Sequence, residues 1–192
     1  MLSYRSEKET SMPDGVDLYF ELHIRPLFRP TDRVHMIGRF DLWKYEHVAD
    51  NVNLQRILTR VQLPPDDMTL MPPLNVGGPW PQEWIDLLKR WDSTGRKRLE
   101  KGVGTYTATW SQAKGRVTLV ATGELTTPNY AVWLDVEMSG SSPYEFVLYQ
   151  KPGGEFEDAF QSDIRFADPN GSVKSVVVHD GNGAQTVPVT QE

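Results

Sequence analysis

The chain has no cysteine among its 192 residues. This excludes disulfides, thiolate nucleophiles, cysteine-ligated zinc, iron–sulfur clusters and thioether-attached haem. Histidine is nearly as scarce. His23, His35, His47 and His179 are the only strong nitrogen ligands, and the first three stand twelve residues apart. That interval is neither the i, i+4 step of a helix-borne metal pair nor the short step of a zinc finger. No apolar run approaches the eighteen residues of a membrane-spanning helix. There is no G-x-S-x-G elbow for a serine nucleophile. Gly77-Gly78 precedes no G-K-(S/T), and Gly102-Val103-Gly104 runs into a strand pattern, so a phosphate-cradling loop is missing too. Positive charge is in deficit, with 20 Lys and Arg against 26 Asp and Glu. The resulting −6 argues against nucleic acid as the main partner.

What remains is an ordinary globular composition, 39% hydrophobic and 24% charged, in a chain long enough for one large domain or two small ones. Residues 1–15 are polar and mixed in charge, without the basic-then-apolar layout of a secretory signal. They read as a flexible tail on a cytoplasmic or already processed chain. Lys89, Arg90, Arg96, Lys97, Arg98 and Lys101 form a local basic cluster, expected to complement a helix C-terminus.

Two periodicities divide the rest. In residues 47–62, Val48, Val52, Leu54, Ile57, Leu58 and Val61 recur at three- and four-residue steps, which predicts one helix ended by Pro64-Pro65. A Pro/Gly-rich connection follows over 63–81. A second helix begins at Pro81, carries Trp84, Leu87, Leu88 and Trp91 on its apolar stripe, and stops at Gly95. Residues 18–28 fit either a strand or a turn of helix. Beyond Gly104 the period becomes two, and seven short segments separated by turn signals read as strands. The expectation is an α+β chain: a small helical domain over 16–101, then an antiparallel immunoglobulin-like β-sandwich over 104–192.

The helical half carries further text. Ile24-Arg25-Pro26-Leu27-Phe28 precedes Thr31-Asp32-Arg33-Val34-His35, and Met71-Pro72-Pro73 precedes a helix that runs from Trp84-Ile85 to Gly95. This layout resembles cytochrome c-like domains over about 75 residues, with the C-x-x-C-H attachment motif lost. In that family two cysteines tether haem, and a histidine and a methionine bind its iron. Thr31 and Val34 stand at the cysteine positions here, while His35 and Met71 keep the ligand positions. The resemblance implies a cytochrome c-like fold without haem, and no cofactor is expected. The segments Phe40-Asp41-Leu42-Trp43 and Gly78-Pro79-Trp80-Pro81 are similar to haem-free bacterial versions that accompany oxidative or secondary-metabolic enzymes.

The expected function is therefore that of a non-catalytic accessory protein binding a protein partner, an oxidative enzyme by resemblance. Trp43 and Trp80, set in connecting segments, are the candidate partner anchors. Two other readings remain open. One is a small-molecule enzyme with an interdomain cleft that uses His35 or His47 as acid/base with Asp41 or Glu46. The other is a redox protein holding non-covalent haem or a metal between His35 and Met71.

Overall fold

Residues 18–28 alternate apolar and polar like a strand, yet they wind into a five-residue π-helical turn, Phe20–Ile24, and a 3-10 turn, Arg25–Leu27. Phe20 and Ile24 are both buried in that turn, and Pro26 could not donate to a ladder. The computed structural model describes residues 15–140 and 142–192. All of the expected tail except Gly15 therefore lies outside the described residues.

Helix α1 spans Pro30–Met36. Proline fits its first turn, and the Asp32 carboxylate accepts the Arg29 N–H at 2.9 Å, closing the N-terminus. The single helix expected over 47–62 is instead two, α2 (Tyr45–Val48) and α3 (Asn51–Val61). A continuous helix would bond the Asn53 N–H to the Ala49 carbonyl. That N–H goes to Asp50 Oδ1 at 3.0 Å, and the Ala49 carbonyl accepts from Arg96 Nη1 at 2.6 Å, so both groups are satisfied with the helix broken. Helix α4 spans Gln82–Ser93 behind Pro81. Gly95 and Arg96 follow with positive φ, and the Arg96 N–H closes on the Trp91 carbonyl at 2.9 Å. Ile85, Leu88 and Trp91 form the buried stripe of α4, with Trp84 and Leu87 only half-buried at its margin.

The chain divides between Arg98 and Leu99 into two units, each with its own apolar cluster. In the helical unit Leu18, Phe20, Ile24, Leu54, Leu88 and Trp91 lie at the centre of the packing. The second unit holds β1 (Glu100–Lys101), β2 (Thr105–Ser111), β3 (Arg116–Glu124), β4 (Tyr130–Val136), β5 (Glu145–Pro152), β6 (Ala159–Ala167), β7 (Ser175–Asp180) and β8 (Gly183–Gln191). The two-residue β1 pairs with β5, which places Glu100 and Lys101 with the strands rather than with the helices.

The α+β class holds, but the sheet is not purely antiparallel. Strands run β1-β5-β7-β8-β2-β3-β6, with β4 also on β5, and the sheet curls. Two pairings, β5 with β7 and β2 with β8, are parallel. Strand β8 runs antiparallel to β7 as far as Pro188 and parallel to β2 from Val189. The proline, with no N–H to contribute, sits at the handover. Buried Val117, Leu119 and Ala121 on β3 show the two-residue period that made these strands legible. Among the described residues, no helix is long and apolar enough to cross a membrane.

Candidate functional site

The densest polar cluster of the helical unit is built around Asp41, which lies buried in the turn between α1 and α2. Its carboxylate accepts from both sides of the Arg33 guanidinium, Nε to Oδ1 at 2.8 Å and Nη2 to Oδ2 at 2.7 Å. Oδ1 also takes the Trp43 N–H at 3.0 Å. The backbone N–H of Asp41 donates to His47 Nδ1 at 2.8 Å, so the neutral imidazole carries its proton on Nε2. Arg33 lies over the Trp43 ring at 4.6 Å, and Trp43 Nε1 donates to the Phe28 carbonyl at 2.9 Å. Asp41 thereby ties α1 to the 41–43 turn through its carboxylate and reaches α2 through its backbone N–H. Burial pushes the Asp41 carboxyl up. The Arg33 hydrogen bonds, the Trp43 N–H and the positive charges of Arg33 and Lys44 outweigh that and hold it below the usual carboxylate value.

Four residues were candidates for acid/base chemistry, and only two come together. Asp41 meets His47 through its backbone N–H, not through its carboxylate. A carboxylate held bidentate by guanidinium is a weakened base, whereas general catalysis favours a pKa near the working pH. Glu46 is exposed and pairs with Arg98 at 2.8 Å, with the Arg98 guanidinium over the Tyr45 ring. His35 is exposed on α1, a helix with no buried residue. Met71 is also exposed, on the connection between α3 and α4. A haem held by His35 and Met71 needs both side chains turned into an enclosed apolar pocket. These two face solvent, so they do not fit the group.

The candidate partner anchors separate. Trp43 is half-buried, with its ring and its N–H both engaged. Trp80 is buried at 6% exposure between Phe28 and Trp84, so its ring is a core element and not a surface anchor. Its Nε1 is buried with no hydrogen-bond partner. Trp80→Phe removes an unsatisfied donor along with some ring, whereas Trp43→Phe loses a hydrogen bond and weakens a cation–π contact. The expected costs are within about 1 kcal/mol of wild type for Trp80→Phe and about 1–2 kcal/mol for Trp43→Phe. Urea unfolding followed by helical circular dichroism checks this inversion of the burial order.

The basic cluster is largely consumed inside the unit. Arg96 pairs with Asp92, Lys97 with Asp17 and Arg98 with Glu46, while Arg90 donates to the Val16 carbonyl. In the strand unit the polar groups serve turns and strand ends. Asp168 accepts from the Ser172 N–H and Oγ and from the Val173 N–H. Asp180 accepts from Tyr106 Oη at 2.8 Å and from Gln185 Nε2 at 2.6 Å. Burial, with the Asp180 charge, pushes the Tyr106 hydroxyl far up and keeps it protonated as a donor. His179 Nε2 meets Glu145 Oε2 at 3.0 Å, a pair that no spacing rule singled out. Among the described residues, no group of three or more metal-capable side chains comes together.

Exposed apolar side chains gather elsewhere. Met68, Met71, Leu74 and Val76 all lie on the connection between α3 and α4, and Met68 is 97% exposed. That connection is held rather than loose. Arg60 Nη1 donates to the Thr69 carbonyl at 3.2 Å, the Arg60 carbonyl accepts the Met71 N–H at 3.2 Å, and Asp67 accepts from the Thr69 N–H and hydroxyl. Gly77, with φ +94°, packs directly under the Arg29 guanidinium where a Cβ would collide. The chain matches no protein-family model, no curated protein and no solved structure.

Proposed function

We propose that the chain is a non-catalytic accessory protein that docks a protein partner through the apolar connection between α3 and α4. In this reading the helical unit is a cytochrome c-like scaffold without haem, joined in sequence to a sandwich-type strand unit, and the partner is an oxidative enzyme. The observation that carries it is the concentration of Met68, Met71, Leu74 and Val76 on one anchored, solvent-facing segment. Exposed apolar surface on a held loop is costly in water and is the usual mark of an interaction site. The acid/base side chains fit the same reading: Asp41 is held by Arg33, His47 Nδ1 takes the Asp41 N–H, and Glu46 pairs with Arg98 at the surface.

The test is site-directed photocrosslinking in the native host, with the photoreactive residue at position 68 and a control at position 114 in the β2–β3 turn. The expected result is one partner captured from position 68 and not from 114, and lost when Leu74→Ser and Val76→Ser are combined. Equal capture from both positions, or capture indifferent to the two serines, would overturn the reading.

A further inference from the structure

Beside that connection, the solvent face of α3, with Leu63 and Thr69, forms a shallow open groove of about 630 Å³. Val52, exposed on its rim, and half-buried Leu63 are its apolar lining. Gln55, Arg56, Arg60 and Thr69 stand around it, and no lining residue is acidic. Arg56 and Arg60, one helical turn apart, share a face. Arg60 already donates to the Thr69 carbonyl. Arg56 is different. Among the described residues its guanidinium has no ion-pair or hydrogen-bond partner, although the chain carries six more acidic than basic side chains. An unpaired cation beside exposed apolar side chains, in an otherwise acidic protein, is a local complement to negative charge.

We infer that this groove binds an acidic, partly apolar peptide segment of the partner. Carboxylates would meet Arg56 and the free side of Arg60, and aliphatic side chains would lie on Val52 and Leu63 near the exposed Met68. The inference rests on the docking reading above and names the chemistry of the docked segment. Guanidinium pairs carboxylates in a planar fork, and an extended or helical peptide can place a carboxylate and an aliphatic group within the reach of one helical turn.

The experiment is a titration of the isotope-labelled full chain with an acetylated ten-residue peptide of alternating Glu and Leu, followed by amide chemical shifts. A Lys/Leu peptide and inorganic phosphate at matched ionic strength serve as controls. Saturable shifts confined to residues 51–63 and 69, seen with the Glu/Leu peptide alone, are expected. Arg56→Glu should weaken binding about tenfold. Because Arg56 makes no contact of the fold, that variant should keep the wild-type melting curve. Binding should also weaken as salt is raised toward 0.5 M, since the charges are exposed. Equal shifts with phosphate would identify a simple anion site, and equal shifts with the Lys/Leu peptide would identify nonspecific apolar adhesion. Either result, or no shift on α3, overturns the inference. Capture from position 68 that survives Arg56→Glu would show this inference failing while the docking reading stands.

Discussion

Trp91→Ala is expected to destabilise the helical unit by about 3–5 kcal/mol, the range for removing a large buried aromatic. Trp91 is fully buried and packs against Phe20 at 5.9 Å and Tyr45 at 6.3 Å between ring centroids. One side chain on α4 therefore holds both the π-helical turn and α2. Its Nε1 also donates to the Lys97 carbonyl at 2.8 Å, which fixes the chain where it leaves the helix. Trp91→Phe separates the two contributions. The Lys97 carbonyl keeps the Phe20 N–H at 2.9 Å as a second donor, so the lost indole bond leaves no orphaned acceptor. Phenylalanine should thus cost only about 1–2 kcal/mol, one hydrogen bond plus the smaller ring. Urea titrations read at 222 nm give both numbers. A cost below about 1 kcal/mol for alanine would mean that the site collapses around the gap and that Trp91 does not hold the three segments together.

The elements most legible in the sequence were those whose period needs no distant partner. The stripe Leu54, Ile57, Leu58 and Val61 marked α3 by spacing alone, and alternation in residues 116–124 marked β3. The break between α2 and α3 was not legible, because it depends on Arg96, forty-seven residues away from the Ala49 carbonyl it captures. Asp50 could have been read as a helix cap, but Val48 and Val52 continued the apolar rhythm across it. Val52 then proved to be exposed, on the rim of a groove. The parallel pairings were hidden for a related reason. Turn residues mark where a strand ends, while its neighbour is decided by a crossover with no local signature. The π-helical turn at Phe20–Ile24 kept an alternating pattern and lost the strand only through burial of residues four apart.

The site residues divide in the same way. His35, Asp41, Glu46 and His47 were singled out for their chemistry, but the sequence does not tell whether a carboxylate is free or held. Arg33 decides that for Asp41 across eight residues and a glycine-containing turn, and in the sequence it stands only as part of a lost attachment motif. The tryptophans show the converse. A ring beside Gly, Pro and Pro, as at Trp80, suggests a surface loop, yet Phe28 and Trp84 close over it. The α3–α4 connection was legible as irregular structure. Its exposure was not, because Met68, Leu74 and Val76 are residue types that composition assigns to a core.

Removing the Asp41 charge should have a large and pH-dependent effect. Asp41→Ala removes the carboxylate to which the Arg33 guanidinium, only 19% exposed, donates, and releases the Trp43 N–H as well. Breaking a buried pair from one side costs about 3–5 kcal/mol, and partial exposure of Arg33 places the expected loss near the lower end, at about 3 kcal/mol. Asp41→Asn keeps the shape and one acceptor oxygen, and should cost roughly half as much. The sign of the pH dependence follows from the direction of the Asp41 shift. Its folded-state carboxyl titrates below the unfolded value near 3.8, so in the intervening range the unfolded chain binds the extra proton and stability rises with pH. The contribution is complete above about pH 5 and is lost as pH falls through the folded value, below about pH 4. Wild type and Asp41→Asn should therefore differ by a constant amount between pH 5 and 8 and draw together as pH falls below about 4. Curves that stay parallel down to pH 2 would show that the Asp41 charge is not what holds α1 to the 41–43 turn. In that case the geometry of the Arg33 fork would stabilise the turn by shape alone.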